Sequence, residues 1–142
     1  KQLSVDILTP LKGKPDSKPI LLTSLNTYAE PLRFLDYLLE ETPPAVIIAR
    51  AGILVNVPSP ARYALHKLVT SVRRQPAFQT KTLKDINQAE QLLSVLIEDR
   101  PGDIQTAFIA AKKMPDKFLT QLELGIRKLP EKIFKPLEKY MK

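Results

Sequence analysis

Apolar residues recur at helical spacing through the second half of the chain, and in alternating or unbroken short runs through much of the first. Ser59 is a favoured N-cap residue and Pro60 a favoured first helical residue. After them Ala61, Ala64, Leu65, Leu68, Val69 and Val72 make one continuous apolar face of a predicted helix. Arg62, His66, Thr70 and Arg73 fall on the opposite side, with Lys67, Ser71 and Arg74 beside them. Gln75-Pro76 closes the helix, because proline disfavours helical geometry in the residue before it. A second helix follows, with Leu83, Ile86, Ala89, Leu93 and Leu96 as its buried stripe. Lys81, Lys84, Asp85 and Gln88 are neighbours on it at three- and four-residue spacing. Leu65, Leu68, Ile86, Leu93 and Leu96 are expected in the core. Three further stripes come after Arg100. Ile104, Ala107, Phe108 and Ala111 stop before Pro115; Phe118, Leu119, Leu122 and Ile126 are interrupted by Gly125; Ile133, Phe134, Leu137, Tyr140 and Met141 begin at Pro130 and are expected to bend at Pro136.

The first half reads differently. Leu3 to Leu8 alternates, with Leu3, Val5 and Ile7 on one side and Ser4, Asp6 and Leu8 on the other, as a strand does. Asp6 is unusual there, since aspartate is depleted in strands. Pro10 to Ser24, with Lys12, Gly13, Lys14, Pro15 and Lys18, reads as a loop that ends in a short strand at Ile20 to Leu22. Pro31 to Glu41 reads as a helix carrying Leu32, Leu35, Leu38 and Leu39, stopped by Pro43-Pro44. Ala45 to Arg50 and Ile53 to Val57 flank Ala51-Gly52 and read as a hairpin ended by Pro58. The predicted fold class is α+β: a small mixed β-sheet with helices at the N-terminal side, followed by a C-terminal helical bundle from Ser59.

Composition narrows the chemistry. A chain of 142 residues, 44% hydrophobic and 26% charged, has the make-up of an ordinary globular domain. The absence of cysteine excludes disulfides, thiolate catalysis and the commonest structural zinc ligands, and a single histidine argues against a histidine-built metal site. No apolar run approaches the roughly 18 to 20 residues that span a bilayer, and no signal-peptide pattern opens the chain. A soluble, cytoplasmic protein without membrane contact is the expectation. The chain opens Lys-Gln-Leu-Ser-Val-Asp, with no methionine and directly into a strand-like pattern, as expected of a piece of something longer.

Charge changes the picture most. The formal net charge is +7. Residues 59–85 carry six basic side chains against Asp85 alone, a net of +5 (6 − 1), whereas residues 1–58 balance at six and six. Two helices joined by a short turn can aim both polar faces at one cleft, and such a cleft suits a polyanion, phosphate above all. Each candidate also has a plainer reading. Arg73 and Arg74 end a helix, where cations meet the dipole favourably by about 0.3 to 1 kcal/mol. Lys81 and Asp85 are an i, i+4 pair contributing roughly 0.2 to 0.5 kcal/mol. Lys67 on a helix surface is ordinarily just solvated, and His66 reads as structural or surface. Tyr28, Tyr37 and Tyr63 do not interleave with basic residues as a stacking platform would.

At SVDILTP, AEPLRFLDYLLE, VPSPARYALHKL, RR, KTLKDINQAEQLL and EDRP, residues 3 to 105 resemble the C-terminal two-thirds of a bacterial nucleotidyltransferase-like family within the polymerase-β superfamily. The order of helix lysine, arginine and lysine-aspartate resembles the abortive-infection toxin nucleotidyltransferases more distantly. The resemblance implies a site in which a Gly-Ser turn and an Asp-x-Asp pair hold two divalent metals, Mg2+ being implied, with a third carboxylate on a neighbouring strand. Asp6 matches that third carboxylate, which makes it the implied catalytic and metal-binding residue. Lys67, Arg73, Arg74, Lys81 and Lys84 would hold the triphosphate, and Asp85 would orient Lys81 or contact the nucleotide. The sequence contains no Asp-x-Asp. Those elements would lie before Lys1, and the chain alone is expected to be inactive.

The division implied is residues 1–58 as part of a nucleotidyltransferase-like α/β domain and 59–142 as a helical domain with a basic cleft. The first expectation for function is metal-dependent transfer of a nucleoside monophosphate from a nucleoside triphosphate to an unknown acceptor (small molecule, tRNA or protein). The alternative is a non-catalytic nucleic-acid- or nucleotide-binding module using the basic helix pair 59–85.

Overall fold

Four of the five positions expected in the core, Leu65, Leu68, Leu93 and Leu96, are buried, and Ile86 is partly buried against them. A computed structural model describes residues 5–13, 18–48, 51–74 and 76–141. The described residues form strands β1 (Leu8–Pro10), β2 (Ile20–Leu22) and β3 (Thr27–Leu32), helix α1 (Leu35–Leu39), and strands β4 (Pro44–Ile47) and β5 (Ile53–Asn56). Helices α2 (Pro60–Arg73), α3 (Gln79–Asp99), α4 (Pro101–Ala111), α5 (Asp116–Ile126) and α6 (Glu131–Met141) follow. The architecture is α+β, as the hydrophobic pattern predicts.

Helix α2 is the centre of the packing. It contacts α3, α5, α4 and α1, and its Leu65, Leu68 and Val69 are fully buried. Burying a large aliphatic side chain contributes about 1.5 to 3 kcal/mol, so this face holds the bundle together. The chain enters the helix at Ser59, whose carbonyl accepts the Tyr63 N–H at 2.9 Å while its hydroxyl makes no capping bond. Gly125 lets α5 approach α2 closely: a Cβ at that position would lie 2.7 Å from the Leu68 carbonyl oxygen. The stripe at Phe118–Ile126 is therefore continued by the glycine rather than broken by it. Helix α6 runs through Pro136.

The strands depart from the pattern in register. Strand β1 starts at Leu8, later than the alternation suggests, and pairs in parallel with β3 (Leu8↔Glu30, Pro10↔Leu32); β2 pairs with the other edge of β3 in antiparallel fashion. Leu3 and Ser4 lie outside the described residues, as do Lys14, Pro15, Arg50 and Gln75. Asp6 precedes the strand and is exposed, not mid-strand. The helix expected over Pro31–Glu41 is shorter, because Pro31 and Leu32 are held in the β1–β3 ladder. Phe34, at φ 60°, then turns the chain into α1. The hairpin is present, with Val46↔Leu54 and Ile47↔Ile53 as cross-strand pairs.

Two polar residues expected on the open face of α2 are buried. Arg62 and His66 are only 6% and 5% exposed, because α1 and the turn before it lie across that side. Arg62 Nη1 donates to the Tyr37 carbonyl at 2.9 Å and to Glu40 Oε2 at 2.6 Å, and its Nε lies 3.4 Å from Glu41 Oε2. Tyr37 Oη in turn donates to the Ala107 carbonyl at 3.1 Å, and burial raises its pKa well above the ordinary phenol range. Leu83, expected in the buried stripe of α3, is 62% exposed. Asp85 takes that position instead, continuing the line of Ala89, Leu93 and Leu96 toward α2.

Candidate functional site

A carboxylate buried between two helices stays ionised only where cations or hydrogen-bond donors meet it, since desolvating an unpaired charge costs several kcal/mol. Asp85 is such a group. Its side chain is 3% exposed, with Lys67 Nζ 2.8 Å from Oδ1 and Arg74 Nε 2.6 Å from Oδ2. Lys67 lies on α2 and Arg74 caps its C-terminal end, so the pair ties α3 to both. Burial acts to raise the Asp85 pKa, but hydrogen bonds from Arg74 and Lys67 outweigh it and hold the carboxyl below the ordinary carboxylate range. Burial also works against the Lys67 ammonium, and the hydrogen bond and charge of Asp85 outweigh that too, keeping its proton above the usual lysine range. The i, i+4 pairing of Asp85 with Lys81 read from the sequence gives way to these two partners, 18 and 11 positions away.

Above this carboxylate lies a cavity of about 350 Å³ lined by Tyr63, Lys67, Arg74, Lys81, Lys84, Asp85 and Gln88. The lining carries four cations and one anion. An ammonium has three N–H donors and a guanidinium five. The Asp85 bonds take one N–H from each partner, which leaves further donors for a ligand. Lys67 Nζ also stands 5.2 Å from the Tyr63 ring centroid, and Lys81 Nζ 5.3 Å from that of Phe78.

Among the residues expected in the site, the structure brings Lys67, Arg74, Lys81, Lys84 and Asp85 together. Arg73 and Asp6 do not line this cavity. The Arg73 guanidinium sits 5.5 Å from the Phe34 ring, and burial, followed by the nearby Arg33 charge, lowers its pKa. His66 Nε2 is 3.4 Å from the Arg33 carbonyl, and burial, with Lys67 and Arg73 adding to it, holds the imidazole below its usual range, neutral at pH 7.

A family model described as a nucleotidyltransferase matches residues 1–112. The chain belongs to that nucleotidyltransferase family. No curated protein and no solved structure matches it. The matched span covers every residue lining the cavity. Membership supports nucleotidyl transfer as the role of the chain, with a nucleoside triphosphate as substrate, and does not favour the non-catalytic binding module.

Nucleotidyltransferases generally use a divalent metal. Among the described residues, no group of three or more His, Cys, Asp or Glu is placed to hold a metal ion. The described residues therefore do not fit a two-metal centre by themselves. None of their helices is long and apolar enough to cross a membrane.

Sequence reasoning passed over two residues of the cavity wall, Tyr63 and Gln88. Tyr63 does not interleave with basic residues as a stacking residue would, and Gln88 reads only as a helical neighbour. The available signal was spacing: Tyr63 with Lys67 and Lys84 with Gln88 are both i, i+4 pairs, which places each beside a cation on its helix.

Proposed function

We propose that this chain is the triphosphate-gripping C-terminal portion of a metal-dependent nucleotidyltransferase of the polymerase-β superfamily, which transfers a nucleoside monophosphate to a small molecule, tRNA or protein acceptor. The observation that carries the reading is the convergence of Lys67, Arg74, Lys81 and Lys84 on one cavity, over a buried carboxylate, in a chain of this family. A volume of about 350 Å³ is within the range of small-molecule sites.

In the reaction a bond forms from the acceptor hydroxyl oxygen to the α-phosphorus, the hydroxyl proton passes to solvent, the bond from that phosphorus to the bridging oxygen breaks, and pyrophosphate leaves. Negative charge builds on the leaving group, and preorganised cations are what stabilise it. Lys67 and Arg74, fixed by Asp85, serve as the preorganised pair; Lys81 and Lys84, both exposed, complete the grip. Residues 59–142 form the helical unit that carries this grip, and 1–58 belong to the α/β part. Asp6 is the single carboxylate this chain contributes to a Mg2+ centre whose other ligands come from elsewhere, so the chain by itself binds substrate without turning it over.

Binding tests this reading. Lys84→Ala, an exposed change, and Lys67→Ala are each expected to raise the Kd for a nucleoside triphosphate, Lys67→Ala by about tenfold, the loss of one charge-assisted hydrogen bond. Isothermal titration supplies the Kd, and circular dichroism checks that the fold persists. Unchanged affinity in both variants would take the triphosphate out of this cavity.

A further inference from the structure

A second hollow, of about 290 Å³, adjoins the cationic one and is lined by Tyr63, Gln88, Gln91 and Leu92. The two share Tyr63 and Gln88 as a common wall. Their characters differ: one is lined by four cations and a carboxylate, and the lining residues of the other are all uncharged. A nucleoside triphosphate has the same two-part character, a polyanionic tail joined to a flat neutral base with a polar edge. We infer that the uncharged hollow is a nucleobase subsite, in which Gln88 meets the edge of the base and Tyr63 its face. This rests on the reading of the cationic cavity given above and adds to it the part of the substrate that the cations do not hold.

Gln88 Oε1 is buried and has no hydrogen-bond partner among the described residues. A buried acceptor left unpaired is costly, and native structures rarely keep one without a reason. Turning the terminal amide about its broad final torsion presents that oxygen to the hollow, where an N–H of a base satisfies it. Every nucleobase carries an N–H donor on an edge, so an amide oxygen recognises a base as a class. Tyr63 is half-buried at the seam, its ring beside Lys67 Nζ, and an aromatic ring gives a base a stacking surface whatever its identity. Leu92, packed partly against the core, forms an apolar floor.

The test compares ATP and CTP with ribose 5-triphosphate, which keeps the sugar and charge but lacks the base. Titrations on the wild type, Gln88→Leu and the exposed Gln91→Ala give the Kd values. The expected result is that the wild type binds both nucleotides more tightly than ribose triphosphate. Gln88→Leu should weaken the nucleotides about fivefold, one neutral hydrogen bond, and leave ribose triphosphate within about twofold. Gln91→Ala should move the nucleotides in the same direction. If all three ligands bind the wild type equally, or Gln88→Leu changes all of them alike or none, the base subsite is wrong while the triphosphate grip stands. If none binds, both readings fail together.

Discussion

Asp85→Ala is expected to destabilise the protein by about 3 kcal/mol at neutral pH, the lower end of what removing one partner of a buried ion pair costs. The lower end applies because Lys67 and Arg74 are 21% and 27% exposed and can turn partly toward water once abandoned. The effect should depend on pH in a defined direction. Because the folded-state pKa of Asp85 is depressed, its contribution is complete above the unfolded value of about 3.9 and is lost as pH falls through the folded value. Lys67, whose folded pKa is raised, contributes fully below the unfolded value of about 10.4 and loses its contribution only as pH rises through the folded one. Urea unfolding of wild type and Asp85→Ala should therefore differ by a constant amount from about pH 5 to 9 and converge below about pH 4. A difference that persists unchanged at pH 2 would show that the ionised carboxylate is not the source of the lost stability.

Gly125→Ala should lower the melting temperature, although alanine is by far the better helix former. The added Cβ would meet the Leu68 carbonyl oxygen at 2.7 Å, the Leu68 Cβ at 2.8 Å and the Leu68 carbonyl carbon at 2.9 Å. None of these is the tip of a flexible side chain, so relief requires α5 to move away from α2, where Leu68 and Ile126 are fully buried. Overpacking of this kind costs typically 1 to 3 kcal/mol, and with the wall made of backbone the upper figure applies. Gained helix propensity returns up to about 1 kcal/mol, leaving a net loss of about 2 kcal/mol and a drop of roughly 6 to 10 °C. Gly102 is the control. It lies in the first turn of α4 with nothing within 4 Å of a built Cβ, and Gly102→Ala should leave the melting temperature unchanged or raise it. A Gly125→Ala protein as stable as the wild type would mean that α2 and α5 do not approach as closely as described.

The helices from Ser59 onward were legible because each buries one wide apolar face, and a 3.6-residue repeat survives in the sequence whatever it packs against. The three-residue strands β1 and β2 carry too little pattern to fix their register. Pro31 misled for a physical reason, since proline fits both a first helical turn and a strand position that needs no N–H bond. Arg62 and His66 read as solvated because charge on a helix usually is; their burial depends on Glu40, Glu41 and the Arg33 carbonyl, contacts some 20 to 30 positions distant that no local window contains.

The site was partly legible for the same reasons. The surplus of cations over residues 59–85 pointed to Lys67, Arg74, Lys81 and Lys84, which do converge. Counting charge could not separate them from Arg62, which is spent on α1, or from Arg73, which stacks on Phe34. Nor could spacing show that Asp85 bonds across to α2 rather than along its own helix, since a local pair and a long-range one look alike until the helices are packed.

The central claim, that the hollow between α2 and α3 receives a nucleoside triphosphate, is tested most directly by following the backbone amide resonances of the isotope-labelled chain as ATP is added. The predicted result is a saturable set of shifts clustered at Tyr63, Lys67 and Arg74 on one side and Lys81 to Leu92 on the other. Shifts that gather instead around a separate hollow lined by Phe108, Lys112, Leu119, Glu123 and Tyr140, or none up to about 1 mM ATP, would contradict it.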